Sequence, residues 1–237
     1  MGEKERINKI YSEYNENMTW KERYSIFREE VICSVQEVER KKLALLKKVE
    51  FAGKLQFCKV IDIGGGSGSN VLRMVEYGVP PENIVYNEIF EPRYKNALKR
   101  LPRDTETILC DACELDKTHN ERYDIVCMNT VMTSILEDEI RIRLANRIWK
   151  IIKPGGGILW YDFKYNNPKN PNVKKVTTAD LNNLFPEGKI SIKSATLAPP
   201  IARSLIKIPF LGVALLKILN VYPLRTHIVA FIQKNKI

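Results

Sequence analysis

The stretch Val60-Ile61-Asp62-Ile63-Gly64-Gly65-Gly66-Ser67-Gly68-Ser69-Asn70 decides the fold. Three β-branched apolar residues around one acid read as a buried strand, and the glycines that follow turn the chain into a helix. Glycines let a backbone approach a ligand closely, and a helix N-terminus offers unpaired N–H groups and a positive dipole. By itself such a turn suits NAD, another nucleotide or no ligand. The dinucleotide fingerprint G-x-G-x-x-G wants its third glycine at position 69, where Ser69 stands. Gly64-x-Gly66-x-Gly68 after an acid points to a different ligand.

Outward from this turn, short apolar runs alternate with amphipathic stretches, the βαβ pattern of a mostly parallel sheet. Strands are predicted at 59–63, 84–88, 107–110, 125–128 and 158–162, with helices at 69–76, 92–100 and 137–152. Lys153-Pro154-Gly155-Gly156-Gly157 reads as the break between the last helix and the fifth strand. A helix at 179–185 leads to strands at 190–197 and 227–232, and the basic, apolar segment between those strands is too long for a hairpin turn. Residues 3–48 are helical in character, with Thr19 as a candidate cap. The expected architecture is a doubly wound α/β domain over 53–237, with an N-terminal helical extension over 1–52 and a helical insertion at 199–225.

Three further pieces fall at strand ends. Glu88 lies twenty residues beyond Gly68, where a carboxylate accepts from both hydroxyls of a ribose. Asp111-Ala112 follows the third strand, where a carboxylate accepts from an adenine amino group. The fourth strand ends in Asn129-Thr130, small polar residues for the floor of a site. Open α/β sheets place ligands on this carboxyl edge.

From about 57 to 162 the chain, on these motifs, resembles the class I S-adenosylmethionine-dependent methyltransferases. The resemblance implies a seven-stranded sheet whose last strand runs antiparallel. It implies that Asp62, Gly64, Gly65, Gly66 and Gly68 hold the methionine moiety, Glu88 the ribose, Asp111 and Ala112 the adenine, and Asn129 and Thr130 the approach to the sulfonium. The segments at 162–171, 197–203 and 223–227 resemble a bacterial methyltransferase-domain group associated with cell-surface polysaccharide pathways, which suggests a small-molecule, sugar or glycan hydroxyl as acceptor.

Composition narrows the acceptor further. The net charge of +10 is concentrated beyond Glu187, the last acid, which suits an anionic acceptor or an anionic surface. The D/N-P-P-Y/F/W loop of base-amino methylation is absent, since Asn129-Thr130-Val131-Met132 stands in its place, and Cys127 lies inside a strand rather than in a Pro-Cys nucleophile. No DNA partner is expected. A metal is not expected either, because the fourth and fifth strand ends supply only Asp162 among amides. Five cysteines without paired spacing, and a charged start over residues 1–6, suggest a reduced, cytoplasmic protein. The uncharged run 208–216, flanked by Lys207 and Lys217, is too short to span a bilayer but suits peripheral contact with one.

Topology then predicts an acceptor-side wall. If the strand at 190–197 is parallel to the first five, the segment 199–227 starts and ends on the ligand edge. That would present Arg203 and Arg225 as an anion clamp and His227 as the general base, with Asp162 second. Two other readings stand beside this one: a cofactor-binding scaffold without catalysis, and RNA ribose methylation.

Overall fold

The structure, a computed structural model, describes residues 2–16, 22–168 and 170–236. Thr19, the expected helix cap, lies outside the described residues. The alternating apolar runs become one sheet of seven strands: β1 (Val60–Ile63), β2 (Ile84–Glu88), β3 (Glu106–Leu109), β4 (Tyr123–Asn129), β5 (Ile152–Phe163), β6 (Lys189–Leu197) and β7 (Arg225–Gln233). Their order is β3-β2-β1-β4-β5-β7-β6, and β7 alone runs antiparallel, to both β5 and β6. Around it lie α1 (Glu3–Glu16), α2 (Glu29–Lys48), α3 (Ser69–Glu76), α4 (Glu91–Leu98), α5 (Asp138–Ile151), α6 (Thr178–Leu184), α7 (Pro199–Leu205) and α8 (Gly212–Ile218).

The period-two alternation of buried strands divides the core into two layers. Ile61, Ile63, Val126 and Trp160 join Leu144 and Ile148 of α5 on one face. On the other, Val60, Ile125, Leu159 and Phe231 join Val71 and Met74 of α3 and Leu45 and Leu46 of α2. The second half of the N-terminal extension therefore covers a sheet face rather than standing apart from it.

One boundary differs from the sequence expectation. Residues 152–157 do not break the chain before the fifth strand; they belong to β5, as a bulge at which its register against β4 shifts. A side chain at Gly157 would sit 2.5 Å from the carbonyl of Ile232, so glycine here serves close strand approach rather than a turn.

Because Leu46 is almost fully buried in the sheet-facing layer, Leu46→Ala should cost about 2 to 5 kcal/mol in a urea denaturation. A cost below about 1 kcal/mol would mean that α2 adds little to the core.

Candidate active site

At the carboxyl ends of β1, β2 and β4 the glycine turn shapes a cavity of about 560 Å³. Gly65 N–H donates to the Asn87 carbonyl and Gly66 N–H to Glu88 Oε2, each at 2.9 Å, which ties the turn to β2. A Cβ on Gly65 would lie 2.5 Å from the Tyr86 ring and 2.7 Å from Asp62 Oδ2, so only glycine fits there. Gly66 has φ +55 with room for a side chain, and the left-handed backbone itself is what favours glycine. Tyr86 Oη donates to the Gly66 carbonyl at 2.7 Å, holding the loop from beneath.

Asp62 is 1% exposed. Asn70 Nδ2 donates to its Oδ1 at 2.9 Å, while Oδ2 is buried with no partner. Burial pushes this carboxyl up to about 7, against the opposing pull of Asn70 and of the Lys42 ammonium. Asn129 Nδ2 donates to Asn70 Oδ1 at 2.7 Å, and Asn129 Oδ1 is a second buried acceptor without a partner. Two buried acceptors without partners close to one cavity suit a ligand that brings hydrogen-bond donors. Glu88 accepts from the N–H groups of Gly66, Ile89 and Phe90, so its carboxylate is fixed at the strand end. Asp111 caps the short turn Ala112–Glu114 by accepting from Cys113 N–H at 2.9 Å.

Gly64, Gly65, Gly66, Glu88, Asp111, Ala112, Asn129 and Thr130 all line the cavity. Asp62 does not line it, its Oδ2 lying behind Gly65, and Gly68, at φ +78, forms the N-cap of α3. Sequence reasoning missed the roof. Glu3, Lys4, Ile7 and Tyr11 of α1 line the cavity too, together with Arg93, Ser134, Ile135 and Arg143. Glu3, buried, accepts from Leu136 N–H and pairs with Arg6 at 2.6 Å, while Arg6 donates to the Ser134 carbonyl. Tyr11 Oη donates to Ser134 Oγ at 2.9 Å, and the Arg93 guanidinium stacks 3.8 Å over the Tyr11 ring. An acid in a helix's first turn reads in sequence as a dipole partner, so nothing there marked Glu3 as a clasp.

The expected acceptor wall is corrected. The segment 199–225 does begin and end on the carboxyl edge, but β7 and β6 lie beyond β5, far from the β1–β4 opening. Its helices pack on α2 through Leu197, Ala202, Leu216 and Cys33. Arg225 is engaged by Asn220 and by Glu37 of α2, and neither it nor Arg203 lines the cavity. His227 is buried between Tyr161 and Phe163, with ring centroids 5.0 and 4.3 Å away, and burial lowers it to about 3. It stays neutral, lies 3.0 Å from Thr226 Oγ1 through Nδ1, and does not line the cavity. Asp162 is also outside the cavity: Oδ1 accepts from Thr133 Oγ1 at 2.5 Å, which fixes the turn after β4. Burial pushes Asp162 up to about 7.

Residues 60–156 match the family model described as a methyltransferase domain. The chain carries a methyltransferase domain over these residues. The free carboxylate oxygen under the glycine turn and the acids at the ends of β2 and β3 fit the ammonium, ribose and adenine of S-adenosylmethionine. The fold is similar to that of magnesium protoporphyrin IX methyltransferase from Synechocystis PCC 6803, solved with S-adenosylhomocysteine bound, at 11% identity over 98% of this chain and 100% of that one (TM-score 0.64). It is similar to a methyltransferase from Archaeoglobus fulgidus at 17% identity over 83% and 94% (TM-score 0.56). It is similar also to the 1,6-didemethyltoxoflavin-N1-methyltransferase of Burkholderia thailandensis, at 14% over 97% and 91% (TM-score 0.54). No curated protein sequence matches the chain.

A carboxyl raised in the folded state holds a proton that the unfolded chain has released. Stability of the ligand-free protein therefore falls as pH rises from about 4, the unfolded value, through about 7. Asp62→Asn removes that penalty. Scanning calorimetry should show it melting a few degrees above the parent near pH 8, with the gap narrowing toward pH 5. A variant that melts lower near pH 8 would contradict the burial argument.

Proposed function

We infer that the chain transfers a methyl group from S-adenosylmethionine to a hydroxyl of a small-molecule or sugar acceptor in the chamber between the carboxyl edge and α1. The observation that carries this reading is the pair of partnerless buried acceptors, Asp62 Oδ2 and Asn129 Oδ1, beside a cavity lined by Glu88 and Asp111. On this reading 53–237 forms the methyltransferase domain, and 1–52 completes it by supplying the roof.

S-adenosylmethionine brings an activated methyl group on a sulfonium, so the protein must mainly bind, align and exclude water. Asp62 and Asn129 would accept from the ammonium, Glu88 from the ribose hydroxyls and Asp111 from the adenine amino group. Gly64, Gly65 and Gly66 bring backbone close to the ligand, Gly68 starts α3 behind them, and Ala112 leaves room for a flat ring. Thr130, at φ +55, accepts at its carbonyl from Ser134 Oγ, and so sets small hydroxyls near the donor end. Asp162 acts through Thr133 as a positioning residue. The hydroxyls of Thr130, Ser134 and Tyr11 favour a polar acceptor, and a roof clasped by Glu3 and Arg6 favours a small one over an RNA strand. With Arg203 and Arg225 elsewhere, the anion clamp loses its residues.

Calorimetric titration should give micromolar affinity for S-adenosylhomocysteine, about −8 kcal/mol, with none for NADH. Glu88→Gln should weaken it by about 1 to 3 kcal/mol, and Arg203→Ala should leave it unchanged. Equal binding by the Glu88 variant would remove that carboxylate from the site.

Since an ammonium favours ionised Asp62, whose carboxyl sits at about 7 without ligand, affinity should fall as pH drops below about 7, approaching tenfold per unit. Above that pH it should level. A profile flat from about pH 5 to 8 would dissociate Asp62 from cofactor binding.

A further inference from the structure

The connection between β6 and β7 carries its apolar side chains on the outside. Among the described residues, seven of the sixteen exposed large hydrophobic side chains fall between Ile208 and Tyr222. That concentration sets the segment apart from scattered surface apolar residues, which are ordinary. Helix α8 buries Gly212 and Leu216 and turns Val213, Ala214, Lys217 and Ile218 outward, so its outer face is apolar where a helix on a solvated surface is polar. At the joint before it, Phe210 is fully exposed and held at φ +61, a backbone region that a bulky residue seldom enters. Folding gains nothing from a ring held there. An outside partner would.

The charges around this face identify the partner. Lys207 and Lys217 are exposed at its two ends, and Lys164 Nζ sits 4.7 Å over the Tyr222 ring. The sequence contains no acid beyond Glu187, and the acid beneath the segment, Glu37, is already taken by Lys41 and Arg225. Glu29, exposed at the head of α2, raises the Cys33 thiol while Lys217 lowers it. A second copy of this chain docking two-fold on the face would bring lysines against lysines, which disfavours it. An anionic bilayer surface satisfies both components: side chains such as Phe210 and Leu211 enter the headgroup boundary while the lysines meet lipid phosphates.

We propose that the α7–α8 connection, led by Phe210 and Leu211 and flanked by Lys207 and Lys217, is a docking surface for anionic membranes. No described helix is long and apolar enough to cross a bilayer, so the contact is interfacial. The connection leaves β6 and enters β7 on the carboxyl edge, the edge at which the cofactor cavity lies, so docking would bring that edge to the lipid. The surface goes beyond the methyl-transfer reading and stands whichever acceptor is methylated.

Flotation with vesicles of phosphatidylcholine alone, and of phosphatidylcholine with phosphatidylglycerol, tests it on the full chain. Binding is expected to the anionic vesicles at low salt, to weaken as salt rises, and to be absent with phosphatidylcholine alone. Phe210→Ser with Leu211→Ser should lower partitioning roughly tenfold or more, and Lys207→Gln and Lys217→Gln about fivefold each. All these side chains are exposed, so S-adenosylhomocysteine titration of each variant should match the parent and report an intact fold. No flotation with anionic vesicles at low salt would overturn the proposal. So would flotation unaffected by the Phe210 and Leu211 changes, or light scattering that shows a dimer which those changes dissociate.

Discussion

Between β1 and β4 the winding of the sheet reverses, and the rest of the site follows from that reversal. Connections from β1 run toward β2 and β3, those from β4 toward β5, so the carboxyl edge is left open between them. Asp62, Glu88, Asp111 and Asn129 each come from a strand or the turn just past it. A buried carboxylate at this point is costly on its own, since desolvation raises Asp62 to about 7. Asn70 offsets part of that cost through one oxygen, and the other is left for a ligand. A stable ligand-free core would not choose this arrangement; a cofactor site would.

Most of this was legible in the sequence because it is local. A strand, its glycine turn and the start of the helix after it lie within eleven consecutive residues, and Glu88 and Asp111 each follow an apolar run of their own. The sheet's strand count and its antiparallel last strand came through the family resemblance and agree with the structure. The glycines of 155–157 misled, because close packing of β5 against β7 needs the same residue as a turn does.

The roof and the far edge were not legible, for a common reason. An amphipathic helix announces that it packs, not on what, and α1 shows its use only through Glu3 reaching Leu136 and Tyr11 reaching Ser134. The segment 199–227 begins and ends on the expected edge but lies farther along it, since β7 inserts beside β5 and displaces β6 outward. His227 and Arg225 then serve packing and an ion pair with Glu37 instead of chemistry at the cofactor. What remains on that far edge is an apolar, basic face that neither the core nor the cavity uses.

A crystal structure with S-adenosylhomocysteine bound tests the central claim most directly, that the chamber beneath α1 is the cofactor site. The ribose is expected against Glu88, the adenine beside Asp111 and Ala112, and the amino group within hydrogen-bonding reach of Asp62 Oδ2. A ligand seated outside this chamber, or one that leaves Asp62 Oδ2 and Asn129 Oδ1 without partners, would contradict it.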